Sequence, residues 1–423
     1  MSIWFIVALS AAASYLLSLV VRALTSREKR IDHEVEHLFP VADEQFLRSM
    51  ASLLPPAALG GNRITALANG DEFFPAMLDA IRSARRTVTF ETFIYWQGEI
   101  GRQFADALVE RARAGVKVHV LLDWLGTKKM DPDAVEEMKA AGVEVERYHP
   151  LRWYNVRRVN NRTHRKLLVV DGRVGFTGGA GIADQWAGNA QDPGHWRDSH
   201  FRIEGPVVAQ CQAAFMDNWL KTRSRVLHAA DYFPDLGPQG PSRAQVFMSS
   251  PSEGSESARL MYLLSIASAA RNIRIASAYF VPDDLSVQSL VDACRRGVTV
   301  QIIVPGDHID THTTRRAGRS RWGPLLEAGA EIYEYGPTMY HCKVMVVDDL
   351  WTSVGSANFD TRSFRLNDEA NLNVYDAPFA SGQVAAFELD RQRSRRVTLD
   401  QWRNRPWTQR LMDRAAGLLR SQL

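Results

Sequence analysis

The chain has 423 residues, 45% hydrophobic and 23% charged, the composition of a folded protein with two ordinary domains or one large pseudo-symmetric one. Its 51 Lys and Arg against 48 Asp and Glu leave a net charge of +3, too small to imply nucleic acid. Cys211, Cys294 and Cys342 are scattered and form no CxxC pair, which argues against a disulfide framework and a structural zinc site.

The N-terminus is apolar. Residues 2–21 carry no charged side chain, and about 20 such residues suffice for one helix to cross a bilayer. Arg22, Arg27, Lys29 and Arg30 follow the run, and no Lys or Arg precedes it. That asymmetry predicts an uncleaved membrane helix over 1–24 with the body of the chain on the cytoplasmic side. A signal peptide is the competing reading, since residues 11–14 could mimic a cleavage region. Residues 25–60 read as a helical connector ended by Pro55, Pro56, Gly60 and Gly61.

The sequence then states one pattern twice. In the first half, 61–240, residues 84–96 and 116–125 read as buried strands, and 103–115 as the amphipathic helix between them. A second helix over 134–142 and a strand over 143–149 follow. THRKLLVVDGRVGFTGG (163–179) reads as a tight strand pair across Gly172. In the second half, 241–390, the same order recurs from residue 269 and closes with YHCKVMVVDDLWTSVGS (340–356). A duplication at this long period predicts two packed α/β halves. Residues 231–258, rich in Pro, Gly and Ser, read as a linker or long surface loop.

Each half carries H-x-K-x-x-x-x-D: His164, Lys166 and Asp171 in the first, His341, Lys343 and Asp348 in the second. Residues two apart on a strand share a face, so imidazole and ammonium can address one ligand. Asp171 and Asp348 fall where the strand turns, better placed to orient backbone than to touch ligand. One such motif alone is usually a solvated strand edge. Two copies beside the buried runs LLVV and VMVV, at matching places, point to a binding or catalytic site.

The paired motifs resemble the HKD signature of the phospholipase D superfamily. FTGGAGIADQW (176–186), HWRDSHFRIEGPVV (195–208) and SVGSANFDTRSFRLNDEANLNV (353–374) are similar to bacterial cardiolipin synthases. The resemblance implies an α/β fold of two pseudo-symmetric phospholipase D-like halves packed around one interface site, behind the N-terminal membrane helix. It also implies a phosphatidyltransferase at the bacterial inner membrane, moving a phosphatidyl group from a phospholipid, phosphatidylglycerol being the expected donor, through a phosphohistidine to a lipid hydroxyl to form cardiolipin. A hydrolytic phospholipase D, or a phosphodiesterase or nuclease using the same residues, is the alternative.

The resemblance makes His164 the nucleophile and His341 the acid/base, an order the sequence alone does not fix. Lys166 and Lys343 would hold the non-bridging oxygens, so neither metal nor cofactor is called for. The family's orienting acid, just before a later strand, falls at Asp198 and Glu369. Gly178, Gly179, Ser356 and Asn358 match its substrate-binding segment. Where the second half has Asn358, the first has Gly181, so one head-group hydrogen bond is absent or comes from backbone.

Asp307, His308, Asp310 and His312 read as a cleft-rim loop rather than a metal cluster, with Arg315, Arg316, Arg319 and Arg321 reaching for anionic head groups. The C-terminal segment, 391–423, sets nine arginines against Asp400 and Asp413, with Trp402, Trp407, Leu411 and Leu418 between them. That pattern suits an interfacial helix on anionic lipid. The partners expected are therefore phospholipid substrates and an anionic membrane surface, with no nucleic acid.

Overall fold

The computed structural model describes residues 35–150, 160–250 and 257–423, with isolated positions between 3 and 18. The first half runs β1 (Leu59–Ala68), β2 (Thr87–Thr92), β3 (Lys117–Asp123), β4 (Glu144–Tyr148), β5 (Arg162–Thr163), β6 (Leu167–Val170), β7 (Val174–Gly178) and β8 (Ser199–Glu204). Helices Asn69–Ser83, Glu99–Arg113 and Pro132–Ala140 connect the first four strands. The second half runs β9 (Ser242–Ser249), β10 (Asn272–Ser277), β11 (Phe280–Val281), β12 (Thr299–Pro305), β13 (Glu331–Tyr335), β14 (Lys343–Val347), β15 (Trp351–Gly355), β16 (Phe359–Asp360) and β17 (Asn367–Tyr375). A last strand, β18 (Ser394–Val397), adds to the edge of β13.

The halves have one topology. Strands β4, β3, β2, β6, β7, β8 and β1 lie in that order, and β13, β12, β10, β14, β15, β17 and β9 repeat it. Antiparallel pairing of β1 with β9 joins them into one continuous sheet. Within each half three strands are parallel, joined by crossover helices that cover the sheet. Strands buried on both faces need near-continuous apolar runs. β2 and β6 are buried along their whole length, as their sequences TVTFET and LLVV require.

Each half has its own core, built around Phe73, Phe90 and Phe104 in one and Ile273, Leu290 and Trp351 in the other. A third cluster lies across the seam, where Leu167 and Phe201 of the first half meet Val246, Val354 and Leu372 of the second. Burial of this shared apolar cluster helps to hold the halves together.

The sequence reading missed both seam strands. Residues 242–249 lie inside the stretch expected to be a linker, and they form the largely buried β9 instead. Its Ser and Gln, and the prolines on either side, hid the strand pattern. The connector contributes a helix, Glu44–Leu53, capped by Asp43, whose Oδ1 accepts the Gln45 N–H at 2.8 Å. Its Phe46 packs edge-on against Trp351 at 6.1 Å, so it belongs to the core of the second half, although it precedes the first in the chain.

The expected membrane helix over 1–24 falls mostly outside the described residues. The positions described there, including Ile3, Trp4, Phe5, Val7 and Tyr15, are helical and exposed. Among the described residues no helix is long and apolar enough to cross a membrane.

The C-terminal arginines are mostly engaged with the protein itself. Arg391 pairs with Glu388, Arg395 with Glu334, Arg396 with Glu331, Arg403 with Glu327, Arg405 with Asp413 and Arg420 with Asp284. The expectation of a free basic face is corrected accordingly, because β18 and the following helices dock onto an acidic edge of the second half. Trp407, Leu411 and Leu418 stay exposed. The rim arginines are corrected likewise: Arg315 pairs with Glu334 and Asp307, Arg319 with Asp413, and Arg321 with Asp284.

Candidate active site

Each H-x-K unit enters the site on a backbone stitch to the opposite half. β5 pairs in parallel with β17, aligning Thr163 with Asp368, and the His164 N–H donates to the Asp368 carbonyl at 2.9 Å. In the other half Tyr340 bridges to Arg197, and the His341 N–H donates to the Arg197 carbonyl at 2.7 Å. Strand alternation sends Arg165, between His164 and Lys166, to the other face. There it bonds the Ala214 carbonyl at 2.7 Å and Asp217 at 2.9 Å.

The acids are exchanged between halves. Glu369 of the second half lies 3.0 Å from His164 Nδ1, and Asp198 of the first lies 2.7 Å from His341 Nδ1. Sequence reasoning picked both carboxylates but left their partners unassigned. An Nδ1–H donated to a carboxylate turns the Nε2 of each ring toward the reactants, as a lone pair on a neutral His164 and as the proton-carrying nitrogen of His341. Lys166 Nζ donates to the His164 carbonyl at 2.8 Å, and Lys343 Nζ donates to the His341 carbonyl at 2.6 Å.

Second contacts hold each acid. The Ser356 hydroxyl donates to Glu369 at 2.6 Å, and Trp186 Nε1 donates to Asp198 at 2.9 Å. Ser356, expected to bind substrate, is fully buried and serves Glu369 instead. Gly179 stands at the equivalent position in the first half, and a Cβ there would lie 2.2 Å from Asp198 Oδ1. The glycine makes room for the carboxylate. Gly178 is in turn crowded by His200 and the Ser199 carbonyl, within 2.6 Å of where its Cβ would be.

Asp171 and Asp348, the last members of the two motifs, lie at the far ends of β6 and β14, away from the histidines, and hold backbone as their place at the strand turn suggested. Asp171 accepts N–H bonds from Arg85, Arg86 and Thr87, at 2.7–2.9 Å for the closest oxygens. Asp348 accepts the same set from Ala270, Arg271 and Asn272. Both adopt positive φ, +52° and +54°, where the strand turns. They tie each motif strand to the start of its neighbour.

The electrostatics follow from burial around opposed charges. Burial pushes His164 down to about 4 against the pull of Glu369, so the ring is neutral near pH 7. Burial opposes ionisation of Glu369, but the charge and hydrogen bond of His164, with Lys166 and Ser356, hold it down to about 2. Asp198 is lowered despite burial by His341, Lys343 and Trp186. Burial also lowers His341 and Lys343, and pushes Lys166 down to about 7. Lys166 feels Lys343 and both acids, so the two units share one field.

His164 opens on a cavity of about 250 Å³, also lined by Phe93, Arg162, Tyr279, Asn358 and Arg362. Asn358 Oδ1 is buried without a partner there among the described residues. Trp186, Tyr279, Arg162 and Arg362 were not picked out from the sequence as site residues. Trp186 and Arg362 lie inside the segments that carried the resemblance, and a buried indole N–H, which needs an acceptor, was the available signal for the first.

The fold and the paired units define a two-half phospholipase D-like protein. Residues 77–219 and 262–391 match the family described as cardiolipin synthase, PLD-like domain. The chain is 35% identical over 364 residues to the major cardiolipin synthase ClsA of Bacillus subtilis, covering 85% of this chain and 75% of that protein. It is 35% identical over 361 residues to the cardiolipin synthase of Geobacillus kaustophilus, covering 85% and 72%. The phosphatidylserine synthase of Haemophilus influenzae shares the fold, with a TM-score of 0.70 over 90% of this chain and all of that one, at 16% identity. The chain belongs to the cardiolipin synthase family of the phospholipase D superfamily.

Proposed function

We propose that this protein is a phosphatidyltransferase that forms cardiolipin from two phosphatidylglycerol molecules. The carrying observation is the exchange of acids, Glu369 to His164 and Asp198 to His341, which makes one site from both halves. His164 Nε2 attacks the donor phosphorus as the bond from phosphorus to the glycerol oxygen breaks, and that oxygen takes the Nε2 proton of His341, which enters the step as an imidazolium held by Asp198. The hydroxyl of the second phosphatidylglycerol then attacks the phosphohistidine. Its proton passes to His341 as the P–N bond breaks, which regenerates both rings. Lys166 and Lys343 neutralise the non-bridging oxygens in both transition states. Gly178 and Gly179 serve the reaction by giving Asp198 and His200 room, and Asn358 faces the substrate pocket.

We also infer that residues 1–24 anchor the protein in the cell membrane, with the catalytic halves, 61–240 and 241–390, on the cytoplasmic side. The uncharged run over 2–21 and the exposed Trp4, Phe5 and Tyr15 support this. Trp407, Leu411 and Leu418 of segment 391–423 supply a second apolar contact with an anionic surface, beside Arg410 and Arg414.

Mass spectrometry of products from labelled phosphatidylglycerol tests the reaction. Labelled cardiolipin and released glycerol are expected. Phosphatidic acid as the sole lipid product makes the protein a hydrolase, and cleaved DNA with untouched lipid makes it a nuclease.

A further inference from the structure

The pocket beside His164 sets two arginines against one side-chain carboxylate, Asp360. Arg162 in β5 and Arg362 in the short helix Thr361–Arg365 both line it. The Arg362 guanidinium donates to Asn160 Oδ1 at 3.0 Å, the Asn160 carbonyl at 3.2 Å and the Gln422 carbonyl at 3.2 Å, all uncharged acceptors. The carboxylate nearest in the chain, Asp360, accepts the Ser363 N–H at 2.7 Å at the start of the helix. Arg162 is almost fully buried; it donates to the Asn161 carbonyl at 2.8 Å and the His149 carbonyl at 3.2 Å, with Asp123 at 3.8 Å. That acid already accepts N–H bonds from Leu125, Gly126 and Thr163. Arg315, Arg319 and Arg321, on the rim, each have a carboxylate partner; Arg362 has none within ion-pair distance among the described residues.

Asp360, Asp123 and Glu369 offset part of the cost of burying Arg362 beside Arg162, but none of the three stands within ion-pair distance of it, so an anion between the two guanidinium groups is favoured. A guanidinium fork matches phosphate oxygens in pairs. Asn358, with its unpartnered Oδ1, lines the same wall and suits a glycerol hydroxyl.

We propose that Arg162 and Arg362 bind the phosphodiester of the acceptor lipid, and so select an anionic phospholipid to resolve the phosphohistidine. The inference rests on the phosphatidyl-transfer reading. In phosphatidylglycerol the attacking hydroxyl is three carbons from the lipid's own phosphate. A phosphate held at the arginines therefore presents that hydroxyl to the phosphorus on His164, with the middle glycerol hydroxyl toward Asn358.

The test measures transfer from phosphatidylglycerol vesicles to three labelled acceptors by the full-length protein and its Arg362→Gln and Arg362→Lys variants. The acceptors are phosphatidylglycerol, glycerophosphoglycerol and glycerol. The ratio of transfer to either anionic acceptor over transfer to glycerol should fall about tenfold or more in Arg362→Gln and recover in part in Arg362→Lys. Equal loss on all three acceptors overturns the proposal, and so does a loss confined to phosphatidylglycerol, which points to acyl or surface contact. Should Arg362→Gln fail to fold, Arg362→Lys carries the test: a ratio lowered for both anionic acceptors upholds the proposal, and an unchanged ratio or equal loss on every acceptor overturns it. A wild type that makes phosphatidic acid and transfers to no acceptor refutes phosphatidyl transfer itself.

Discussion

Glu369 is more than a charge beside His164. It fixes the Nδ1–H tautomer, and its own ionisation is secured by Lys166 and Ser356. Glu369→Gln keeps the shape but removes the negative charge beside His164 Nδ1, and with it the support for positive charge on the ring in the proposed phosphohistidine step. Its kcat should fall about a hundredfold or more, with KM little changed, in a steady-state assay of glycerol release. Ser356→Ala removes one hydrogen bond to the same acid and should cost roughly tenfold. The pH profile follows from Lys166 and His164. An ammonium is charged below its pKa, so kcat/KM should fall as pH rises through about 7, where Lys166 loses its proton. The acid limb should appear near 4, where His164 gains one. A bound phosphodiester anion favours the ammonium, so the alkaline limb of kcat should lie higher than that of kcat/KM. Lys166→Arg, charged throughout, should abolish the alkaline limb while lowering the plateau. An unmoved limb in that variant assigns the titration elsewhere.

At the scale of elements, the H-x-K-x-x-x-x-D pattern is two devices on one strand. His and Lys stand at one end, with His164 lining the pocket, while the Asp at the other end ties down the neighbouring strand. Asp171→Ala removes the acceptor of three backbone N–H groups at a position with φ of +52°. It should cost about 2–4 kcal/mol of stability in denaturant unfolding, with kcat per folded molecule nearly unchanged. Gly179→Ala should lower both: its Cβ would displace the buried Asp198 carboxylate from His341, Trp186 and the Ser199 N–H, so activity and melting temperature fall together. The repeated strands and helices of each half were legible because a buried parallel sheet demands long apolar runs. The seam strands were not, since β1 begins LGGNR and β9 carries Ser, Arg and Gln among its apolar residues. Spacing exposed the histidines, lysines and acids, but no local pattern records that Asp198 and Glu369 cross to the opposite half. The same holds for Arg395 and Arg396, whose partners Glu334 and Glu331 become neighbours only when β18 lies against β13.

At the scale of the molecule, the exchange of acids makes each histidine depend on the half that does not contain it. The β1–β9 seam and its shared core hold that exchange within one chain, so the reacting pair is intramolecular. This distinguishes the arrangement from one in which two chains each lend a half. His164→Ala retains His341 with Asp198, and His341→Ala retains His164 with Glu369. If each site is drawn from one chain, mixing the two inactive full-length variants restores nothing, whatever their concentrations. If halves trade between chains, a mixed pair holds one intact site for every two-chain assembly, and activity returns toward a sizeable fraction of wild type. The seam buries Val246, Leu372 and Val374 completely or nearly so, and parting it would expose that apolar surface to water. No recovery of cardiolipin formation is therefore expected over hours of mixing at ordinary temperature. Recovery that grows with protein concentration would require the seam to open and re-pair between molecules.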